Sequence, residues 1–139
     1  VAFDPRNDVA VLRVDGLGAP ALALAADAPS GRSAAVLGFP EDGPYDVRAA
    51  RLGDTRDVLA QDAYGQGPIE RPVVVFRGLV RSGNSGGPLV DGAGNVVGTV
   101  FASAVRSGPE GGYAVPNDVI RRRLAQADGG RVGTGPCTR

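Results

Sequence analysis

The sequence predicts an all-β protein built from antiparallel strands, as a barrel or a sandwich, with one C-terminal α-helix. Strand signals recur at short intervals over most of the 139 residues. The 22 Gly and 11 Pro are spread between these signals, where they are typical of turns. Only one segment, near the C-terminus, has its apolar residues at helical spacing.

The first strand signals lie near the N-terminus. Residues 7–14 read N-D-V-A-V-L-R-V, and period-2 counting places Asp8 on a largely apolar face of a strand. A second short strand is predicted over 21–25. Residues 26–33 have the composition of a linker and mark a boundary between two halves of the chain.

The remaining elements follow closely along the chain. Strands are predicted over 34–39, 45–52, 72–77, 88–90, 96–102 and 113–115. Residues 53–67 are polar and contain Gly, so we expect a loop or a distorted hairpin end there. The helix begins at Asn117 or Asp118, either of which can cap it, and Gly129-Gly130 ends it.

Charge composition argues against several classes of partner. The 15 basic residues, all Arg, balance 15 acidic ones, whereas a nucleic-acid or polybasic membrane-surface protein needs a basic excess. The run Arg121–Arg123 is therefore interpreted as a solvated helix face. No stretch approaches the roughly 18 apolar residues that cross a bilayer. With one Cys and no His, the chain has no zinc cluster, no internal disulfide and no imidazole base.

The sharpest local motif is S-G-N-S-G-G-P at residues 82–88. A serine among glycines allows close backbone approach to a substrate, and successive amides around Gly83 and Ser85 are able to bind an oxyanion. The alternative is an ordinary Gly-rich turn between strands. A phosphate-binding loop is not indicated, because no G-K-[S/T] follows.

Asp8 is the second candidate. A carboxylate on a partly apolar face is costly unless it is hydrogen-bonded, so it is a candidate orienting group for a basic partner. The alternative is a solvated residue at the start of a strand.

Three motifs together resemble the trypsin-like serine proteases of the HtrA-like bacterial branch. They are G-N-S-G-G-P-L at 83–89, D-V-A-V-L-R-V at 8–14, and G-Y-A-V-P at 112–116 ahead of the helix. G-F-P at 38–40 and V-G-T-G-P-C at 132–137 are similar to the periplasmic protease domain of actinobacterial membrane-anchored serine proteases, of the mycobacterial acid-resistance protease type. The resemblance covers nearly the whole chain.

The resemblance implies a trypsin-like antiparallel β-barrel fold, with the second barrel complete and the first partial. It implies the following segments: 1–25 as the end of the N-terminal barrel, 26–33 as the linker, 34–116 as the C-terminal barrel, 117–128 as the helix, and 129–139 as a tail.

The resemblance also implies roles for individual residues. Ser85 would be the nucleophile of a serine endopeptidase, and Asp8 would orient the catalytic His. The amides of Gly83 and Ser85 would form the oxyanion hole. The family order of His, Asp, Ser places that His before Val1, so this chain looks like the C-terminal portion of a protease domain and is expected to be nearly inert alone. The alternative is a catalytically silent fragment or pseudoprotease that binds peptides or a partner.

A substrate pocket follows from the same resemblance. Leu79 and Val80 would form an apolar floor, and Phe101, Ala102 and Ser103 a wall and an edge to which a peptide adds as a strand. Ordinary core packing is the alternative for these side chains, and solvation is the alternative for Arg81. Asn84 stands where relatives activated by N-terminal insertion carry Asp, so we expect no such activation here.

Cys137 is the only cysteine. In an exported protein it would bridge to a Cys outside this chain, and the alternative is a free thiol. The expected partners are a protein or peptide substrate and the N-terminal half of the protease domain, with no nucleic acid and no membrane contact by this segment. No metal or organic cofactor is implied. The expected location is the periplasmic or extracellular side of the cytoplasmic membrane, with a membrane-anchored parent.

Overall fold

The computed structural model describes residues 1–104 and 110–136, and strands are the main regular structure of these residues. The strands are β1 (Ala2–Asp4), β2 (Val9–Val11), β3 (Ser33–Gly38), β4 (Asp46–Ala60), β5 (Ile69–Arg77), β6 (Pro88–Asp91), β7 (Val96–Ser103) and β8 (Gly111–Pro116). A 3-10 turn spans Pro40–Asp42, and helix α1 spans Asn117–Ala125. The predicted all-β class with one C-terminal helix is confirmed.

The chain forms two compact units. The first contains residues 1–21, 57–71 and the segment from Asp118 onward. The second contains residues 22–56 and 72–117. The predicted division into barrel end, linker, barrel, helix and tail stays a prediction.

The second unit is built around a closed barrel in the order β3-β4-β5-β8-β7-β6, whose strands pair antiparallel. Alternate side chains point into it, as the two-residue period of a strand requires. Its core consists of the fully or nearly fully buried Val36, Leu52, Val74, Phe76, Leu89, Val97, Val100 and Ala114. Burying each large apolar side chain contributes about 1.5–3 kcal/mol, so this core supplies most of the driving force for closure.

Two strand registers fix the edge of the barrel where the serine motif lies. β3 pairs with β4 from Ser33↔Arg51 to Gly38↔Asp46. β6 begins at Pro88, which is opposite Thr99 of β7. The end of β7 therefore extends past β6 on that side.

The first unit contains the β1–β2 pair and α1. Asp4, at the end of β1, is buried and accepts a hydrogen bond from Arg123 Nε of the helix at 2.7 Å. The amide of Ala63 donates to Pro5 O at 2.8 Å, and Tyr64 Oη donates to Thr134 O. The predicted solvated Arg face holds for Arg121 and Arg122 and is wrong for Arg123, since the buried carboxylate draws its guanidinium inward.

The strand predicted over 7–14 is wrong at both ends, since β2 covers only Val9–Val11. Asp8 lies in the preceding turn with a φ of +55°, a left-handed conformation that Asp tolerates because its short side chain bonds locally. The period-2 count assumed a continuous strand and therefore misassigned the face of Asp8.

Two other predicted boundaries are also wrong. Residues 21–25 form no strand, and only Leu24 makes an isolated bridge, to Val96. The loop expected over 53–67 is in its first half a continuation of β4 to Ala60. The polar residues of this part of β4 are mostly exposed. A strand accommodates them because its hydrogen bonds are made by the backbone and one of its faces is open to solvent.

Candidate active site

The serine motif lies on the loop that connects β5 to β6 in the second unit. Ser85 is exposed, and its Oγ donates a hydrogen bond to Phe101 O of β7 at 3.3 Å. The amide of Gly86 donates to Val100 O at 2.8 Å, and Val100 N donates to Gly87 O at 2.9 Å. These bonds place the serine beside the end of β7.

Asn84 shapes this loop from inside. Its side chain is only 3% exposed, and its Oδ1 accepts a hydrogen bond from Arg81 N at 2.8 Å. The backbone N–H of Asn84 donates to Arg81 O at 3.0 Å, and Gly87 N donates to Asn84 O at 3.0 Å. The motif is thus an ordered turn with a buried amide at its centre.

Glycine is required at two positions of the turn by close backbone approach. Gly83 has a φ of +89°, and a Cβ there would lie 3.0 Å from Phe39 O. A Cβ on Gly87 would lie 2.7 Å from Leu37 O. Residues of β3 and of the segment that follows it therefore press directly against the loop.

The amides of Gly83 and Ser85 flank this turn. Among residues 1–104 and 110–136, no group accepts a hydrogen bond from either amide. Unused backbone donors beside an exposed hydroxyl are what an oxyanion site needs.

The predicted pocket residues lie on the segment before the serine and on the end of β7, where Phe101 O accepts the bond from Ser85 Oγ. Val80 packs against the barrel core, and Phe101 stacks on Tyr113 with ring centroids 6.2 Å apart. Gly112 lies between Val80 and Ala102, since a Cβ there would be 2.7 Å from Val80 Cγ2 and 3.1 Å from Ala102 O. Ser103 pairs with Gly112 across β7 and β8, and Leu79 is half-buried in the chain leading to the loop.

Solvation was the alternative expected for Arg81, and this expectation is wrong. Arg81 forms an ion pair with Asp46 and lies 3.6 Å from Glu41 Oε2. Asp46 also accepts from Arg48 Nε at 2.7 Å, and this bond, with the charges of Arg48 and Arg81, holds the pKa of Asp46 below its ordinary value.

Asp8 belongs to the first unit, and there it is exposed. The buried carboxylate of that turn is Asp4 instead, which accepts from Asn7 Nδ2 at 2.7 Å and from Asn7 N at 3.2 Å. Burial raises the pKa of Asp4, but the bonds from Asn7 and Arg123 outweigh burial and lower it overall. Burial disfavours the charged form of Arg71 as well, which for a basic group lowers the pKa. The negative charge of Asp8 opposes that shift.

Sequence reasoning missed Asp4, Asp46 and Arg123 as organising charges. Each lies in or next to a predicted element, but no motif distinguishes them from the other acidic and basic residues. Their partners are 35 and 119 residues away in sequence, so no local pattern connects them.

One predicted site residue falls outside what the structure describes. Cys137 lies beyond the described residues. In the two described ranges, no cluster of three metal-ligating side chains occurs. No helix in those ranges has the length and apolarity needed to traverse a bilayer.

A closed antiparallel barrel with an exposed serine in a G-N-S-G-G-P turn defines the class of trypsin-like peptidases. The chain belongs to this family, since residues 1–98 match the trypsin-like peptidase domain.

Two kinds of curated relative agree with this assignment. The chain is 37% identical over 140 residues to the serine protease Rv3671c of Mycobacterium tuberculosis, covering 99% of this chain and 35% of that protein. It is 32% identical to a probable periplasmic serine endoprotease, DegP-like, of Pseudomonas fluorescens, covering 97% of this chain and 28% of that protein. The chain thus spans about a third of the length of these relatives.

Solved structures show the same likeness. The active form of the Rv3671c protease superposes with a TM-score of 0.91 at 37% identity, covering 100% of this chain and 62% of that one. An inactive form of that protease gives 0.78 at 36% identity, covering 92% and 64%. The HtrA-type protease AlgW with a decapeptide gives 0.74 at 28% identity, covering 91% of this chain and 38% of that one.

Proposed function

We propose that this chain is the nucleophile-bearing portion of a serine endopeptidase that cleaves peptide bonds through an acyl-enzyme at Ser85. The observation that carries the proposal is the ordered turn with an exposed Ser85 and the unused amides of Gly83 and Ser85. The higher TM-score with the active than with an inactive form of Rv3671c supports it.

The reaction divides into two acyl transfers. Ser85 Oγ attacks the peptide carbonyl carbon and its proton passes to a His imidazole, while the amides of Gly83 and Ser85 hold the oxyanion. The C–N bond then breaks and the amine leaves with that proton. Water, deprotonated by the same His, releases the acid and restores Ser85.

The base must come from outside this chain, because the chain contains no His. We assign Asp8 the role of orienting that His. Its exposure in the first unit is what a carboxylate awaiting an additional segment requires. The N-terminal half of the protease domain is the proposed partner that supplies the His, and Cys137 is proposed to form a disulfide with a Cys outside the chain.

The substrate class is an extended peptide. The end of β7 extends past β6, which offers Phe101, Ala102 and Ser103 as an edge for strand addition. Leu79 and Val80 would then favour a medium-sized apolar side chain before the cleaved bond. The DegP-like relatives are named periplasmic, and we propose the same side of the cytoplasmic membrane here, with a membrane-anchored parent.

A second candidate function is a catalytically silent peptide-binding module. The absence of His favours it for the 139-residue chain alone. In that case the end of β7 and the proposed pocket would bind a peptide without cleaving it.

Covalent labelling tests the proposal. A fluorophosphonate is added to a protein that contains this chain together with a His-bearing N-terminal segment, and intact mass is measured without reductant. We expect one adduct, mapped to Ser85 and absent from Ser85→Ala. Ser82→Ala is the matched control, since Ser82 is an exposed serine of the same loop.

The endopeptidase and the silent peptide-binding module predict different outcomes of the labelling experiment. Labelling of Ser85 in the His-containing protein and not in the 139-residue chain supports the endopeptidase with an external base. Peptide hydrolysis that persists in Ser85→Ala contradicts the assignment of the nucleophile. Peptide binding without any adduct favours the silent module.

A further inference from the structure

A charged cluster lies beside the serine loop, on the edge of the barrel formed by β3 and β4. Arg81 of the loop pairs with Asp46, the first residue of β4, and Arg48 Nε donates to the same carboxylate at 2.7 Å. Glu41 lies 3.6 Å from Arg81 Nη1. All four residues belong to the second unit.

The Asp46–Arg81 pair is partly shielded from solvent. The side chains of Asp46 and Arg81 are 21% and 28% exposed, whereas Glu41 is 63% exposed. Solvent weakens an ion pair less when the pair is partly buried, so Asp46 is the stronger partner of Arg81. The hydrogen bond from Arg48 and the charges of Arg48 and Arg81 lower the pKa of Asp46, so this carboxylate stays ionised further into acid than an ordinary Asp.

Strand register connects this pair to the centre of the loop. Asp46 is opposite Gly38 in the β3–β4 ladder. A Cβ on Gly38 would lie 3.0 Å from Asn84 Nδ2, so the backbone of Gly38 touches the buried amide. One cross-strand pair therefore contacts both Arg81 and Asn84.

Arg81 and Asn84 are the residues that close the turn around Gly83. Arg81 N donates to Asn84 Oδ1 at 2.8 Å, and Asn84 N donates to Arg81 O at 3.0 Å. A shift of Arg81 would therefore change the direction of the Gly83 and Ser85 amides.

Polar bonds and a cavity lie on this side of the loop. Arg81 borders a cavity of about 250 Å³ that Pro40, Tyr45 and Arg48 also line. The ion pair of Arg81 with Asp46 and the bond from Glu41 N to Ser82 O at 2.8 Å are polar ties between the loop and the barrel at this place.

We propose that Asp46 is a positioning residue that, by holding Arg81 against the barrel edge, aims the amides of Gly83 and Ser85 at one oxyanion. This inference rests on the proposed role of Ser85 as nucleophile. Asp46 touches no substrate in this account and acts only through Arg81.

Amide hydrogen exchange on the 139-residue chain tests the structural half of the inference. Asp46→Asn should speed exchange at Asn84 and Gly87 on the order of tenfold, since a hydrogen bond to a charged group is lost. Asp42→Asn is the matched control, an exposed acid of the same segment with no ion pair in the described ranges. Equal exchange in wild type and Asp46→Asn would overturn the inference.

Kinetics test the catalytic half in the His-containing protein. Asp46→Asn should lower kcat on the order of tenfold or more with KM unchanged, as expected when only transition-state stabilisation is lost. Asp46→Glu, which keeps the charge, should recover part of kcat. A higher KM at unchanged kcat would assign Asp46 to substrate binding and overturn the proposal.

The two hypotheses fail separately. A wild-type protein that is not labelled at Ser85 contradicts the proposed function, while the exchange experiment still measures whether Asp46 orders the loop. If Asp46→Asn does not fold, Arg81→Gln breaks the same pair from the loop side. Unchanged exchange at Asn84 and unchanged kcat in that variant would also overturn the positioning role.

Discussion

The two units differ in what holds them together. The barrel of the second unit buries a continuous apolar core, with Leu89 and Val100 fully inaccessible. The first unit depends more on polar bonds, such as those of Asp4, and leaves Leu12 and Leu59 80% and 74% exposed. The nucleophile loop therefore lies on a self-contained apolar framework, whereas the Asp8 turn depends on a few buried charges.

The largest expected effect comes from the barrel core. Leu89→Ala should lower the free energy of unfolding by about 2–5 kcal/mol, because it removes a fully buried side chain and leaves a cavity. Urea unfolding followed by circular dichroism measures it. Leu59→Ala is the control and should change stability by less than about 0.5 kcal/mol. Equal effects of the two substitutions would contradict the difference between the units.

A smaller effect is expected where β8 packs against Phe76 and Val80. Gly112→Ala would place a Cβ 2.6 Å from Phe76 Cζ and 2.7 Å from Val80 Cγ2. We expect a loss of about 1–3 kcal/mol from overpacking, measured by thermal unfolding. Gly92→Ala is the control, since its Cβ would meet nothing within 4 Å. A neutral Gly112→Ala would mean that the side chains of Phe76 and Val80 move aside easily.

An effect of similar size is expected in the first unit, and it depends on pH. The folded-state pKa of Asp4 lies below the unfolded value of 3.8, so its contribution to stability is present above that pH and is lost as pH falls through the folded pKa. Asp4→Asn should therefore cost about 1–3 kcal/mol at neutral pH and flatten the stability profile in acid. Unfolding measured at a series of pH values tests this.

The control for Asp4 is a surface ion pair of the same unit. Asp118→Asn removes an exposed i,i+4 pair with Arg122 and should cost only about 0.3–0.5 kcal/mol. A pH profile of Asp4→Asn that matches the wild type would show that the buried carboxylate is not the acid-sensitive group.

Most of the fold could be predicted from the sequence. Apolar strand segments such as 72–77 and the capped stripe at the C-terminus predicted β5 and α1, because their patterns are local. The continuation of β4 to Ala60 could not be predicted, because its polar residues pair through the backbone. The left-handed turn at Asp8 could not be predicted from the sequence, because an Asp followed by valines also fits the pattern of a strand.

The site could be predicted only in part. The G-N-S-G-G-P motif identified the turn, and the structure places Phe101 O against Ser85 Oγ, while Val80 packs against the barrel core. The roles of Ser85 and Asp8 stay predictions. The contacts of Arg81 could not be foreseen, since the register that brings Asp46 beside it depends on the whole β3–β4 ladder.

The buried amide at the centre of the serine turn has a consequence for acid tolerance. Asn84 carries no titratable proton, so the hydrogen bond that it accepts from Arg81 N does not change with pH. A carboxylate at this place would become protonated in acid and change the bonds available to the turn. The bond at the centre of the loop that bears Ser85 therefore keeps its geometry in acid, whereas the ion pair of Arg81 with Asp46 beside the loop lasts only while Asp46 stays ionised.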